Sequence, residues 1–381
     1  MPREKFANAS HRQKYGQFFS PEKLVDKCIS LIKNNGGRLL EPSCGDGAFN
    51  KVKNKNSVFL EIDPEVVTSN DVIVMDFFDY PLEEKFDTII GNPPYVDNSL
   101  FQVKHKTSIK VQANLYLYFI EKCVKHLNDG GELIFIVPRD FIKLTSAKVV
   151  NKLLYKTGTI TDFYDYGDER LFDGACPNVC IFRFEKEDFG RKTNTFDGEY
   201  QFIESDGLIS FVRDGQNERL GDFFDIKVGA VSGADKYFVN DRGVEFVYSK
   251  TRSDGSLRRM IYQKEDDALL KYKDVLISRG IKAFDEKTWF MWGRPVDFRE
   301  GEPRIYVNCK TRIASPFFIN ECDRWDGSLL ALFPKKNINL EKAVDALNSL
   351  DWNALGFMTG GRYIFAQKSL LEAPIDGKIF G

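Results

Sequence analysis

Along the first half of the chain the hydrophobic positions fall into short unbroken runs, separated by stretches whose apolar residues recur at helical spacing. Leu39-Leu40, Ser57 to Asp63, Val72 to Phe78, Thr88-Ile89-Ile90, Leu133 to Pro138, Ile160 to Tyr166 and Val179 to Phe184 each read as a buried strand. Between them, Leu24, Val25, Cys28, Ile29 and Ile32 share one helical face, as do Leu115, Phe119, Cys123 and Leu127 within Asn114 to Leu127. Continuous apolar strands alternating with amphipathic helices predict an α/β fold with a mostly parallel sheet. Ser20-Pro21-Glu22 predicts the start of the first helix, with Ser20 as N-cap and Pro21 at the first helical position.

The first four strands all stop at polar or Gly-rich elements. The first runs into Glu41-Pro42-Ser43-Cys44-Gly45-Asp46-Gly47, the second ends in Glu61-Ile62-Asp63, the third in Asp76-Phe77-Phe78, and the fourth in Gly91-Asn92-Pro93-Pro94-Tyr95. In an open α/β sheet such strand ends line the ligand crevice. Gly45 and Gly47 permit close backbone approach to a ligand. An acid one strand after such a turn suits ribose hydroxyls, while Asp63 also fits a solvated strand terminus. Two prolines stiffen the chain after Asn92 and leave carbonyls free as acceptors, and Tyr95 adds a flat ring. Asn92-Pro93-Pro94-Tyr95 is therefore either a rigid turn or a site for a planar substrate bearing an amino group.

Beyond Tyr95 a loop holding Lys104, His105, Lys106 and Lys110 is either a phosphate contact or plain surface. The polar segment Glu185 to Tyr200 predicts a domain boundary, giving units over 1–190 and 199–381. The second unit has shorter, mixed β-like runs and scattered basic residues: Arg252, Arg258, Arg259, Arg279, Lys282, Arg294, Arg304, Lys310 and Arg312.

Composition changes this picture little. A chain of 381 residues with 43% hydrophobic and 29% charged residues has room for two cores and is globular. Net charge is −2, so a nucleic-acid surface would have to be a local patch. No apolar run is long enough for a membrane span and no signal-peptide core opens the chain, which makes the cytoplasm the expected location. The seven cysteines are odd in number and scattered, which fits free thiols, and with three histidines they complete no zinc ligand set.

Taken in order, Phe18-Phe19-Ser20-Pro21, Glu41 to Phe49, Glu61-Ile62-Asp63-Pro64, Asp76-Phe77 and Asn92-Pro93-Pro94-Tyr95 closely resemble the motifs of gamma-class DNA adenine-N6 methyltransferases of bacterial modification systems. The match covers roughly residues 15 to 185 and is looser beyond Tyr200, where Leu220-Gly221-Asp222 to Gly233 and Gly360 to Ile375 look like the family's C-terminal regions. The resemblance implies a Rossmann-like class I methyltransferase domain with a mixed, mostly parallel seven-stranded sheet, followed by an α+β target-recognition domain. It implies S-adenosylmethionine as methyl donor. Phe18, Ser20, Glu41, Cys44, Gly45 and Asp46 would surround its methionine part, Asn92 would border it, Glu61 would take the ribose hydroxyls, Ile62 would pack on the adenine, and Asp76 with Phe77 would meet the adenine amino group and face.

Asn92, Pro93, Pro94 and Tyr95 would then carry catalysis on a flipped-out adenine, with Phe172 as a second aromatic contact. Here Phe172 is followed by Asp173-Gly174 and Ala175-Cys176-Pro177, a departure from the family pattern. The implied partners are double-stranded DNA and a cognate restriction endonuclease acting separately, with the enzyme itself a monomer. Rival readings are an Asn-Pro-Pro-Tyr enzyme methylating RNA or a protein glutamine, and a non-catalytic interaction protein. The long stretch after the linker favours DNA over a release-factor substrate.

Overall fold

The computed structural model describes residues 20–67, 69–96, 107–110, 112–167, 169, 178–213 and 218–380. The chain divides into two compact units, Met1–Asp214 and Gly215–Gly381.

In the first unit the strands are β1 (Leu39–Glu41), β2 (Val58–Glu61), β3 (Val72–Val74), β4 (Phe86–Gly91), β5 (Leu127–Pro138), β6 (Gly158–Asp165), β7 (Val179–Lys186), β8 (Lys192–Thr195), β9 (Gly198–Ser205) and β10 (Leu208–Val212). They form one sheet in the order β10-β9-β8-β6-β7-β5-β4-β1-β2-β3. β3, β2, β1, β4 and β5 run parallel, and β7 is antiparallel to both β5 and β6. The arrangement is the mostly parallel α/β sheet that the apolar runs predict and fits the class I methyltransferase sheet that the resemblance implies, but it has ten strands and not seven.

Of the extra three strands, β8 and the start of β9 fall where a linker was expected, and the rest of β9 and β10 fall just after it. Lys192-Thr193-Asn194-Thr195 is polar because it sits on the outer part of the sheet, yet Thr193 is buried and donates to the Ile160 carbonyl at 2.5 Å. The polar stretch is therefore part of the first unit, and the division between units comes later, at Asp214.

Alternation along β5 builds the core on both faces. Leu133, Phe135 and Val137 join the cluster under the helix Leu115–His126, while Ile134 and Ile136 join the cluster under the helix Glu22–Ser30. Full burial of each such side chain contributes about 1.5–3 kcal/mol. A polar knot closes one end of this sheet: Arg183 Nε donates to Glu132 Oε2 at 2.7 Å, and the Glu132 carboxylate also accepts from Thr88 Oγ1 and from the Lys33 and Asn34 amides. Both members of the ion pair are fully buried.

The second unit is α+β. β12 (Phe224–Val228), β18 (Leu329–Pro334), β15 (Ile305–Asn308) and β17 (Phe317–Phe318) make an antiparallel sheet in that order. Its core includes Leu330, Leu332, Trp352 and Phe365. β11 (Glu218–Arg219) pairs with β21 (Pro374–Ile375), which joins the two ends of the unit. β13 (Val239–Phe246) pairs with β14 (Arg258–Met260), and β16 (Lys310–Thr311), β20 (Arg362–Ile364) and β19 (Met358–Thr359) form a third small sheet. Among the described residues no helix is long and apolar enough to cross a membrane.

Candidate active site

Parallel pairing puts the carboxyl ends of β3, β2, β1 and β4 along one edge of the sheet. The registers Glu61↔Val74, Glu41↔Phe59 and Leu40↔Ile89 set Glu61, Glu41 and the Gly91-Asn92 exit side by side. Four strand ends that the sequence marks as polar are thus brought to one place.

At its centre Glu41 is 1% exposed, and its Oε2 has no hydrogen-bond partner. Burial pushes its pKa well up, and the neighbouring Glu61 and Asp46 carboxylates push it further. An orphaned buried carboxylate oxygen beside two other acids is a site built for a cationic group. Glu61 shapes the turn between β1 and the next segment. Its Oε2 accepts from the Gly45 N–H at 2.8 Å and its Oε1 from the Asp63 N–H at 3.0 Å, while the Cys44 N–H reaches the Leu60 carbonyl at 2.8 Å. Each Glu61 oxygen keeps a further lone pair for a ligand hydroxyl.

Gly45 takes φ +51°, and the space where a Cβ would point is open. A ligand can therefore approach the backbone there. Asp46 is half-buried beside it, and the Cys44 thiol is buried, with its pKa raised by burial. Ile62 is 41% exposed, an apolar surface ready for a flat ring.

At the third strand end Asp76 accepts from the Phe78 N–H at 2.9 Å and caps a short turn. Phe77 departs from expectation. Its ring is 2% exposed and packs on Phe119, with centroids 5.0 Å apart, so no face of it is offered to the crevice. Lys122 fixes this corner, with Nζ donating to the carbonyls of Phe77, Phe78 and Tyr80 at 2.7, 2.7 and 2.8 Å.

At the fourth strand end the Asn92 amide is held from both sides. Nδ2 donates to Ser20 Oγ at 3.1 Å, and the Tyr95 hydroxyl donates to Oδ1 at 2.5 Å. Ser20 is thus not the N-cap of its helix: Pro21 occupies that position with no side-chain cap, and the serine hydroxyl serves Asn92. Ser43 Oγ donates to the Asn92 backbone carbonyl at 3.4 Å. Pro93 is buried and Pro94 half-buried; among the described residues no backbone N–H donates to the Pro93 carbonyl. The Tyr95 ring meets Tyr116 edge-on at 6.0 Å, and its hydroxyl also lies 2.9 Å from the Ile136 carbonyl.

Ser20, Glu41, Cys44, Gly45, Asp46, Glu61, Ile62, Asp76, Asn92, Pro93, Pro94 and Tyr95 therefore all lie on or beside these strand ends. Phe18 and Phe172 lie outside the described residues, as do Lys104, His105 and Lys106. Sequence reading missed Lys122, whose three carbonyl partners are distant in the chain, and left a solvated strand terminus open as a reading of Asp63. Asp63 is 1% exposed and accepts from the Glu65 N–H at 3.0 Å.

Residues 21–172 match the family described as Eco57I restriction-modification methylase. The type II methyltransferase M.HincII of Haemophilus influenzae is 33% identical over 186 residues, covering 45% of this chain and 37% of that protein. The type II methyltransferase M.CvrRI of Paramecium bursaria Chlorella virus XZ-6E is 32% identical over 225 residues, covering 54% of this chain and 56% of that protein. The matched stretches thus span well under two thirds of these relatives. A structure of the type IIL restriction-modification enzyme MmeI in complex with DNA superposes with a TM-score of 0.60 at 12% identity, over 97% of this chain and 69% of that one, which is a likeness of fold.

Proposed function

We propose that this chain, which over residues 21–172 carries an Eco57I-type restriction-modification methylase domain, transfers a methyl group from S-adenosylmethionine to N6 of an adenine flipped out of duplex DNA. One observation carries the reading: Asn92, at the end of β4, stands beside the buried acidic cradle of Glu41 and Glu61, with Oδ1 held as an acceptor at the crevice.

The donor set fits S-adenosylmethionine. When bound, that molecule supplies a methyl group on a positively charged sulfonium. The unpartnered Glu41 oxygen and Asp46 suit the cationic methionine end, with Ser20, Cys44 and the open face of Gly45 beside them. Glu61 offers its remaining lone pairs to the ribose, Ile62 its exposed side chain to the adenine, and Asp76 an acceptor for the amino group. The buried Phe77 ring contributes to this corner through the backbone that Lys122 holds.

An adenine stacked in a duplex cannot reach a buried donor, so it must be extruded at a cost of about a few kcal/mol. The Tyr95 ring recovers part of this by stacking, worth roughly 1–3 kcal/mol. Asn92 Oδ1 and the Pro93 carbonyl accept the two N6 hydrogens. The amine nitrogen, otherwise conjugated with the ring, then turns its lone pair toward the methyl group. The same two acceptors stabilise the positive charge that grows on N6, and the methylated nitrogen would then lose one of its protons to water to give neutral N6-methyladenine. The unit over Gly215–Gly381 serves to hold the target DNA, and the type II methyltransferase relatives support DNA as the substrate class.

The test is Asn92→Ala: methyl transfer to duplex DNA should fall at least about a hundredfold, while calorimetry shows S-adenosylmethionine binding within a few-fold of the parent. Full transfer activity would contradict the assignment.

A further inference from the structure

Several of the basic residues in the second unit are held by internal partners. Arg258 pairs with Asp235 and Asp326, Arg259 with Glu245, and Arg304 with Asp323. Arg279 is buried and donates to the carbonyls of Leu276, Ser232, Trp289 and Met291. These residues hold the fold and have little left for a partner.

The small sheet of β16, β20 and β19 is different. Thr359 and Arg362 close a hairpin through Gly360 and Gly361, whose φ values of +59° and +64° are those of a two-residue turn that matches strand twist. Lys310 lies opposite Ile364 and Thr311 opposite Tyr363. Because side chains alternate along a strand, Arg362 and Ile364 share one face with Lys310. Thr311 and Tyr363 take the other, inward face: Thr311 is buried, and the Tyr363 ring stacks on Phe365 of the core. Arg312 follows Thr311 as an exposed residue just beyond the end of β16. Among the described residues none of Lys310, Arg312 and Arg362 is ion-paired with a carboxylate, in contrast to Arg258, Arg259 and Arg304.

We propose that this face, carrying Lys310 and Arg362 around the partly exposed Ile364, together with the adjoining Arg312, is a docking surface for the phosphodiester backbone of duplex DNA. The inference rests on the methyltransferase reading and adds to it the residues that hold the duplex. Three cations with no carboxylate partner among the described residues, two on this small sheet and one just beyond it, complement a polyanion in a protein whose net charge of −2 offers no general attraction. Contacts of this kind position the duplex and do not read its sequence.

The test is equilibrium binding of the full chain to short duplexes over a range of salt, for the parent, each of Lys310→Gln, Arg312→Gln and Arg362→Gln, and the triple variant. Neutralising a cation that meets a phosphate makes log K against log salt shallower by about 0.9, so the triple variant should lose about 2.7, equally for every duplex sequence. Arg242→Gln, which removes an exposed cation already paired with Asp266, should leave the slope within about 0.3 of the parent. Singles and triple are compared at melting temperatures near the parent's; Lys310 and Arg312 are exposed and Arg362 is half-buried. Unchanged slopes in all four variants, or an equal change in Arg242→Gln, would overturn this surface while leaving the methyltransferase reading intact. A parent chain that binds no duplex would overturn both.

Discussion

The Tyr95 hydroxyl donates to Asn92 Oδ1 at 2.5 Å, the oxygen that the proposed chemistry assigns to the substrate amine. In the protein without substrate, the site thus satisfies its own acceptor, and an entering adenine must displace the hydroxyl before Asn92 can act. The pair separates two roles of one residue, ring and hydroxyl.

Tyr95→Phe keeps the ring and removes the competing donor. A neutral hydrogen bond is worth about 0.5–1.5 kcal/mol net, so KM for DNA should fall, by up to roughly tenfold. Tyr95→Ala removes the stacking surface as well and should lower kcat/KM by about 1–3 kcal/mol. Steady-state kinetics on a duplex containing the target site distinguishes them. Equal losses in both variants would show that the hydroxyl itself is needed.

Glu41 illustrates a residue whose placement opposes stability. Its carboxyl is buried next to Glu61 and Asp46, and its pKa is raised, first by burial and then by those charges. A carboxyl with a raised folded-state pKa makes stability fall as pH rises from its unfolded value through its folded one. Glu41→Gln should therefore melt higher than the parent at pH 8, and less so at pH 5. The same change should weaken S-adenosylmethionine binding by about 10–100-fold, the worth of a charge-assisted hydrogen bond. Calorimetry in buffers of different ionisation enthalpy should record proton release on binding by the parent and less by the variant.

His126 gives the opposite sign. Burial lowers its pKa to about 4, and its Nδ1 lies 2.7 Å from the Glu84 carbonyl, to which the neutral ring donates. Between pH 6.5 and pH 4 the unfolded chain takes up a proton that the folded chain refuses. Stability contributed by the neutral ring is thus present above pH 6.5 and is lost as pH falls toward 4, at up to about 1.4 kcal/mol per unit. Denaturant unfolding across this range should show a shallower pH dependence in His126→Asn than in the parent.

What the sequence made legible follows from what each signal depends on. The apolar runs ending at Glu41, Glu61, Asp76 and Asn92 are local patterns, and parallel pairing then brings their ends together without further information. Local chemistry misled where a second partner competes for the same atom. Ser20 has the chemistry of an N-cap, but its hydroxyl is taken by Asn92. Phe77 and Phe78 are indistinguishable as adjacent aromatics in the sequence; both rings meet Phe119, and Phe77, which also meets His126, is the one that is buried. Strand β8 was hidden because a strand in the outer part of a sheet needs few apolar residues, so Lys192-Thr193-Asn194-Thr195 has the composition of a linker. Arg183 and Glu132 are likewise invisible as a pair until β5 and β7 are aligned.

The central claim is that this site methylates the exocyclic amine of adenine in DNA. The most direct measurement is to express the chain in a host lacking DNA methylation and sequence its genome for modified bases. The account predicts N6-methyladenine confined to one short recognition motif, absent when Asn92→Ala is expressed at the same level. An unmodified genome from a folded, expressed protein, or methylation on cytosine, would contradict it.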